Sequence, residues 1–229
     1  HFISKNPVPA ACVVASGPSL DRSAAEIRRV QERMFVIAVD SAVSALLEHK
    51  IGVDAAIILD PRPDVLEHIA PIAQKDRAAL NWIVSTAAHP DVVRSILSGR
   101  FFFFSGDHPL DDWLASKFGD PGRLAAGGSV ILPAFDLARK LGAREIVIAG
   151  ADFAFGGGFV PHSLGTAKMS RTLLTQDRFD SVETKLYSEA AAKAPRHVAG
   201  ETEEHRTGEN LLAYREQLES LIAEFGGRC

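Results

Sequence analysis

A chain of 229 residues that is 46% hydrophobic and 24% charged, with a net charge of −4 at pH 7, has the length for one large domain with a substantial core. It has no basic run interleaved with aromatics, which excludes a nucleic-acid surface and leaves a small anionic ligand open. Its two cysteines, one inside an apolar run and one at the last residue, exclude a disulfide framework and a cysteine-rich metal site, and point to a reducing, cytoplasmic compartment.

The opening "HFISKNPVPA" lacks the charged-then-apolar pattern of a signal peptide, and a start at His1 reads as a boundary inside a longer chain. Next comes Ala11 to Ala15, "ACVVA", a run of small or β-branched residues that passes into Ser16-Gly17-Pro18-Ser19 and then into a helical pattern. Open α/β proteins place phosphate-bearing ligands at such junctions, although this is neither G-x-G-x-x-G nor a P-loop with its lysine. Gly17 permits close approach of the backbone, Pro18 stiffens the turn, and Ser19 can cap the helix or bond a phosphate oxygen. The runs "FVIAV", "AAIIL", "NWIVS", "FFFFS" and "EIVIAG" follow, separated by segments rich in Ala, Leu, Glu and Arg. Runs apolar at nearly every position suit strands covered on both faces, and their alternation with helices implies right-handed crossovers. The pattern predicts a Rossmann-like, doubly wound α/β domain over 1–229, with about six mostly parallel strands and helices on both faces. No run is long enough to span a membrane. Asp21 or Ser23, Asp40 or Ser41, and Ser129 are the expected N-caps of three of the helices. After Asp152, "FAFGGGFVPHSLGTAKMSRT" offers few apolar anchors and reads as a loop or lid, in a region reaching to about residue 207 that is polar and irregular from Thr175 to His205. An amphipathic helix over about 208–225 closes the chain.

Three strands end on an acid: Asp40, Asp60 and Asp152. Strand C-termini of an open parallel sheet share one edge, so these three, Ser16-Gly17 and Ser105-Gly106 are expected along a common crevice. Any one of the acids serves equally well as a helix cap. "Ala126-Gly127-Gly128-Ser129-Val130" is a second glycine turn whose amides and Ser129 hydroxyl suit a phosphate or carboxylate, or simply a tight turn with Ser129 as cap. Of eight histidines, His49, His68 and His89 read as surface residues, whereas His162 and His205 fall in the irregular segments where a neutral imidazole can act as a general base. No spacing suits zinc, while Asp40 and Asp60 can hold Mg²⁺ between protein and phosphates.

The ordered set "VVASGPSLD", "IAVDSAVSALLEHKIGVDAAIILDP" and "AGGSVILPAFDLARKLGAREIVIAGADFAF" resembles the family that joins bacterial motility accessory factors to archaeal 6-hydroxymethylpterin diphosphokinases, from Pro9 to the final helix. Its core is similar to bacterial sialyltransferases that carry Gly-Asn-Gly-Pro-Ser-Leu at the first strand end. The resemblance implies a flagellin glycosyltransferase with a CMP-activated nonulosonic acid as donor and no tightly bound cofactor, with a flagellin or glycan acceptor. It implies that Gly17-Pro18-Ser19 cradles the phosphate and ribose, with Gly128 and Ser129 as the second ligand turn. Asp152 matches the Asp of their Gly-Ile-Asp-Phe, and His205 their catalytic histidine, ahead of His162. Ser16 stands where those enzymes have Asn, and Ala154 and Val160 where they have tyrosines. The kinase branch implies instead ATP and Mg²⁺ at an acidic cluster ending in Asp-Leu-Asp-Gly, from which "ILDPRPD" departs, its Asp60 and Asp64 being separated by Pro61 and Pro63. A nucleotide-binding module without turnover is the third reading.

Overall fold

The computed structural model describes residues 8–96, 99–174, 181–200, 204–227 and 229. The apolar runs form β1 (Ala10–Val14), β2 (Phe35–Val39), β3 (Ala55–Ile58), β4 (Asn81–Ser85), β5 (Arg100–Phe104) and β6 (Glu145–Ala149). They make one sheet, parallel throughout, in the order β5-β4-β3-β2-β1-β6. After their first residues β1, β2 and β4 are buried, and β3 is buried along its whole length, as strands without alternating polarity must be. This is the Rossmann-like α/β arrangement that the alternation predicts.

From β1 to β5 the chain steps one way across the sheet through α1 (Leu20–Val30), α2 (Val43–Glu48), α3 (Val65–Ile69), α4 (Gln74–Ala79) and α5 (Pro90–Ser95). It returns through α6 (Pro109–Phe118) and α7 (Ile131–Lys140) to lay β6 on the free side of β1. α7 packs across β1, β2 and β6, and Ile131 to Ala138 are all buried, because a later helix covers its outer side. Connections therefore diverge from β1 and β6, which opens a crevice beyond their C-terminal ends.

The segment after β6 is more regular than its sequence suggests. It contains α8 (Ala167–Leu174), α9 (Val182–Lys193) and an antiparallel hairpin of β7 (Arg196–Ala199) and β8 (Glu204–Thr207) before the closing α10 (Glu209–Ala223), which covers α7. Few apolar residues anchor it: Met169 on α8, Leu186 and Ala190 on α9, and a small cluster of Phe155, Ala190 and Ala194 joined by Phe159 and Leu211. Residues 175–180 of this segment, like the opening 1–7, lie outside the described ones. No helix of the described residues is long and apolar enough to cross a membrane.

The expected helix caps take other partners. Ser19, Ala42 and Val130 occupy the N-cap positions of α1, α2 and α7 without a side-chain cap bond. Asp21 instead accepts from Ser163 Oγ and the Leu164 amide, Ser41 donates to Ser16, and Ser23 bonds carbonyls within its own helix.

Candidate functional site

β1 and β6 are stapled together where the crevice opens. The Gly17 amide donates to the Gly150 carbonyl at 2.8 Å, and the Ser19 amide to Asp152 Oδ2 at 2.9 Å. Gly150 has a left-handed φ of +69°, and a Cβ on Gly17 would collide with the Gly150 carbonyl and the Asp152 carboxylate. The close approach at Gly17 is thus made by the chain itself, and Asp152 supplies the acceptor at the start of α1.

One cavity, of about 280 Å³, lies over this junction, lined by Ser16, Gly17, Ser129, Asp152, His162, Lys168, Glu189, Lys193, Asn210 and Tyr214 among others. A second, of about 810 Å³, extends past the ends of β2 and β3 and includes Asp40, Ser41, Asp60, Arg62, His68 and Arg171. Both cavities are lined by His162, Lys168, Lys193 and Asn210, and their volumes are those of small-molecule sites.

His162 is held in place from both directions. Its loop is pinned by the Ser163 amide on the Ser16 carbonyl and by Asp21 on residues 163 and 164. Its Nδ1 is 3.3 Å from Ser16 Oγ and its Nε2 3.3 Å from Lys168 Nζ. An ammonium only donates, so Nε2 accepts and Nδ1 carries the proton towards Ser16. Ser41 donates to the same Ser16 oxygen at 2.9 Å, which leaves the Ser16 hydroxyl proton free for the cavity. Burial first, and then Lys168 and His68, push the imidazole down to about 4, so it is neutral at pH 7. Glu189 pairs with Lys168 at 3.3 Å and with Lys193 at 2.8 Å; its burial opposes ionisation, but the two lysines hold its carboxyl below the ordinary range.

The other predicted residues are distributed as follows. Pro18 lies against Gly156, and Ser19 opens to a groove between α1 and β6 rather than to either cavity. Of the second glycine turn Ser129 lines the smaller cavity and Val130 the larger; Gly128 lies under the Tyr214 ring and Gly127 against Leu132 and Gln217. His205 sits on β8 opposite Val198 and lines neither cavity. Ser105-Gly106 follows β5 at the far edge of the sheet, where Ser105 bonds Gly122. His49 is exposed and His89 accepts from the Asp91 amide at the start of α5, but His68 is no plain surface residue, since its Nδ1 meets Asp40 Oδ2 at 2.7 Å.

Asp40 and Asp60 do not fit a magnesium site. Asp40 is committed to His68, and Asp60 to Arg62, whose guanidinium lies at 2.6 Å and holds the Asp60 carboxyl below its ordinary range. No group of three or more His, Cys, Asp or Glu side chains among the described residues is arranged to hold a metal ion.

Lys168, Glu189, Lys193, Asn210 and Tyr214 were not singled out by sequence reasoning. The i, i+4 pairs Glu189–Lys193 and Asn210–Tyr214 mark helix faces, but nothing local says that those faces meet β1.

A model of the 6-hydroxymethylpterin diphosphokinase MptE-like family matches residues 1–158. An uncharacterized protein of Treponema pallidum (strain Nichols) is 26% identical over 230 residues, a match that takes in 98% of this chain and 39% of that protein. Among solved structures, a MAf glycosyltransferase from Magnetospirillum magneticum AMB-1 shares the fold with a TM-score of 0.69 at 19% identity, over 97% of this chain and 31% of that one. The chain therefore spans about two-fifths of the length of its curated relative.

Proposed function

This chain belongs to the 6-hydroxymethylpterin diphosphokinase MptE-like family, and from its crevice we propose that it binds a CMP-activated nonulosonic acid of the sialic, pseudaminic or legionaminic type and transfers the sugar to a hydroxyl of a flagellin or glycan acceptor. The observation that carries this reading is the polarised network Lys168–His162–Ser16 beside Lys193 at the β1/β6 switch point. Such a donor brings two anions, a phosphate and a carboxylate. The free Ser16 hydroxyl and the two ammoniums are donors of the right sign for both, and Ser129 lines the same cavity. Tyr214 is the one tyrosine lining the smaller cavity, and it comes from α10 rather than from the segment after Asp152. In this reading His162 keeps Ser16 and Lys168 in register, Asp152 holds the α1 turn, and Gly17-Pro18-Ser19 shapes the wall. The resemblance to a MAf glycosyltransferase fold supports the same reading.

The diphosphokinase reading has the family's description behind it but needs Mg²⁺ and ATP, and the carboxylates at Asp40 and Asp60 are already paired. Thermal melting decides between them. CMP and CDP are expected to raise the melting temperature more than AMP or GMP, because a ligand that binds only the folded state stabilises it by mass action. Lys168→Ala is expected to abolish that shift. A preference for ATP with Mg²⁺, with AMP released in the presence of a hydroxymethylpterin, assigns the diphosphokinase instead; CMP binding without turnover of either donor leaves a binding module.

A further inference from the structure

The larger cavity has a proton acceptor of its own. Asp40 follows β2 with its side chain 4% exposed, and His68 reaches it from α3, which packs against the turn that Asp40 begins. A carboxylate only accepts, so the 2.7 Å contact places an imidazole proton on Nδ1, and in the neutral ring the lone pair is on Nε2. Burial opposes a charged ring, but Asp40 and Glu67 outweigh it and raise the imidazole above its ordinary value, which makes it the stronger base once neutral. The ring lines the larger cavity, and no described residue takes a hydrogen bond from or gives one to Nε2. The other two histidines of interest are differently placed: His162 has both nitrogens engaged, and His205 lies outside the cavities.

We propose that His68 is the general base for a hydroxyl nucleophile seated in the larger cavity, with Asp40 as the positioning residue that sets its tautomer. The proposal rests on the donor reading above for the identity of the leaving group, but not for the base itself. With a CMP-linked sugar, the acceptor oxygen forms a bond to the anomeric carbon as its proton passes to Nε2. The bond from that carbon to the phosphate oxygen breaks, and its electron pair leaves with CMP; the imidazolium then returns its proton to solvent. A pterin hydroxymethyl oxygen attacking the β-phosphorus of ATP makes the same demand on a base, as the bond from that phosphorus to the AMP oxygen breaks and its electron pair leaves with AMP. The layout suits a nucleophile arriving from this side, because the larger cavity meets the donor cavity at His162 and Lys168. The ion pair of Arg171 with Glu67 also ties α8, which carries Lys168, to the helix that carries His68.

The test uses the full chain with two donor systems, CMP-N-acetylneuraminic acid read by CMP release and ATP–Mg²⁺ with a hydroxymethylpterin read by AMP release. With whichever donor the wild type turns over, His68→Gln is expected to lower kcat by ~10²–10⁴-fold while KM for the donor stays within about twofold. His68→Ala is expected to regain turnover with added imidazole. Asp40→Asn should cut kcat by roughly 10²-fold or more at unchanged KM, with partial recovery in Asp40→Glu, because the amide no longer imposes the tautomer. The melting-temperature shift given by the wild type's preferred nucleotide must persist in each variant, which separates loss of the base from loss of the fold. Wild-type kcat in His68→Gln overturns the proposal, as does a loss confined to KM, or a loss in His205→Ala that His68→Gln does not share. Turnover of ATP rather than CMP-sugar overturns the donor reading and leaves the base. A CMP shift with turnover of neither donor overturns the base and leaves the donor site.

Discussion

Gly17 and Asp136 show how single residues hold this site and its support. At Gly17 the constraint is internal, since an added methyl meets the Gly150 carbonyl and the Asp152 carboxylate that join β1 to β6. Gly17→Ala is expected to cost about 1–3 kcal/mol, the range of overpacking in a tight site, when urea unfolding is compared with wild type; a difference under about 0.5 kcal/mol would mean that the junction yields freely. Asp136 is buried on α7 at 1% exposure. Burial pushes its carboxyl up, but the Ala125 amide at 2.8 Å and the flanking Arg139 and Lys140 outweigh that and hold it below 3.8. With the folded value depressed, the stabilisation is fully present above pH 3.8 and is lost as pH falls through the lower folded value. Asp136→Asn is therefore expected to lose about 1.5–3 kcal/mol at pH 7, the range for hydrogen bonds to a charged group. The gap from wild type should close below pH 3.8, and a pH-independent gap would contradict the assignment. Such residues were unevenly legible. Gly17 and Asp152 stand at strand ends where the crossover rule puts a site, whereas His68 meets an aspartate 28 positions away, which only the packing of α3 reveals.

The elements divide in the same way. β1 to β4 were legible because strands buried on both faces must be apolar at nearly every position, and α10 because one of its faces is apolar. α8 and α9 were not, because "VETKLYSEAAAK" buries only Leu186 and Ala190, and its stability comes from contacts with Phe155 and with the hairpin rather than from periodicity. The same dependence makes the loop ahead of α8 sensitive to one distant acid. Asp21, in the first turn of α1, holds Ser163 Oγ and the Leu164 amide, and through them His162. Asp21 lines neither cavity, so Asp21→Ala is expected to weaken CMP binding by roughly 10-fold in calorimetry, as one to two kcal/mol of lost tethering implies. Unchanged affinity would show that His162 keeps its place without this tether.

For the whole molecule, what matters is that the site is assembled from parts far apart in sequence. Ser16 comes from the end of β1, Lys168 from α8, Lys193 from α9, and Asn210 and Tyr214 from α10. The sheet beneath has its own large core, to which α10 adds Leu218, while α8 and α9 are held by a few buried residues, the small Phe155 cluster and ion pairs. Such segments open locally at lower free energy than a core sheet. An anion that bridges Ser16, Lys168 and Lys193 closes those openings, and at 100 times its Kd contributes about 2.7 kcal/mol to every opening that breaks the site. Amide hydrogen exchange should therefore slow by up to about 100-fold on saturation with CMP in residues 161–174 and 182–193, since that free energy is about a hundredfold in the opening equilibrium. Amides of β3 and β4 that exchange only on global unfolding should slow by a similar factor, because global unfolding also breaks the site, whereas amides that exchange through local openings away from it, as in α5 and α6, should change little. Protection confined to the groove between α1 and β6, where Ser19 opens, would instead place the ligand on the other side of the turn.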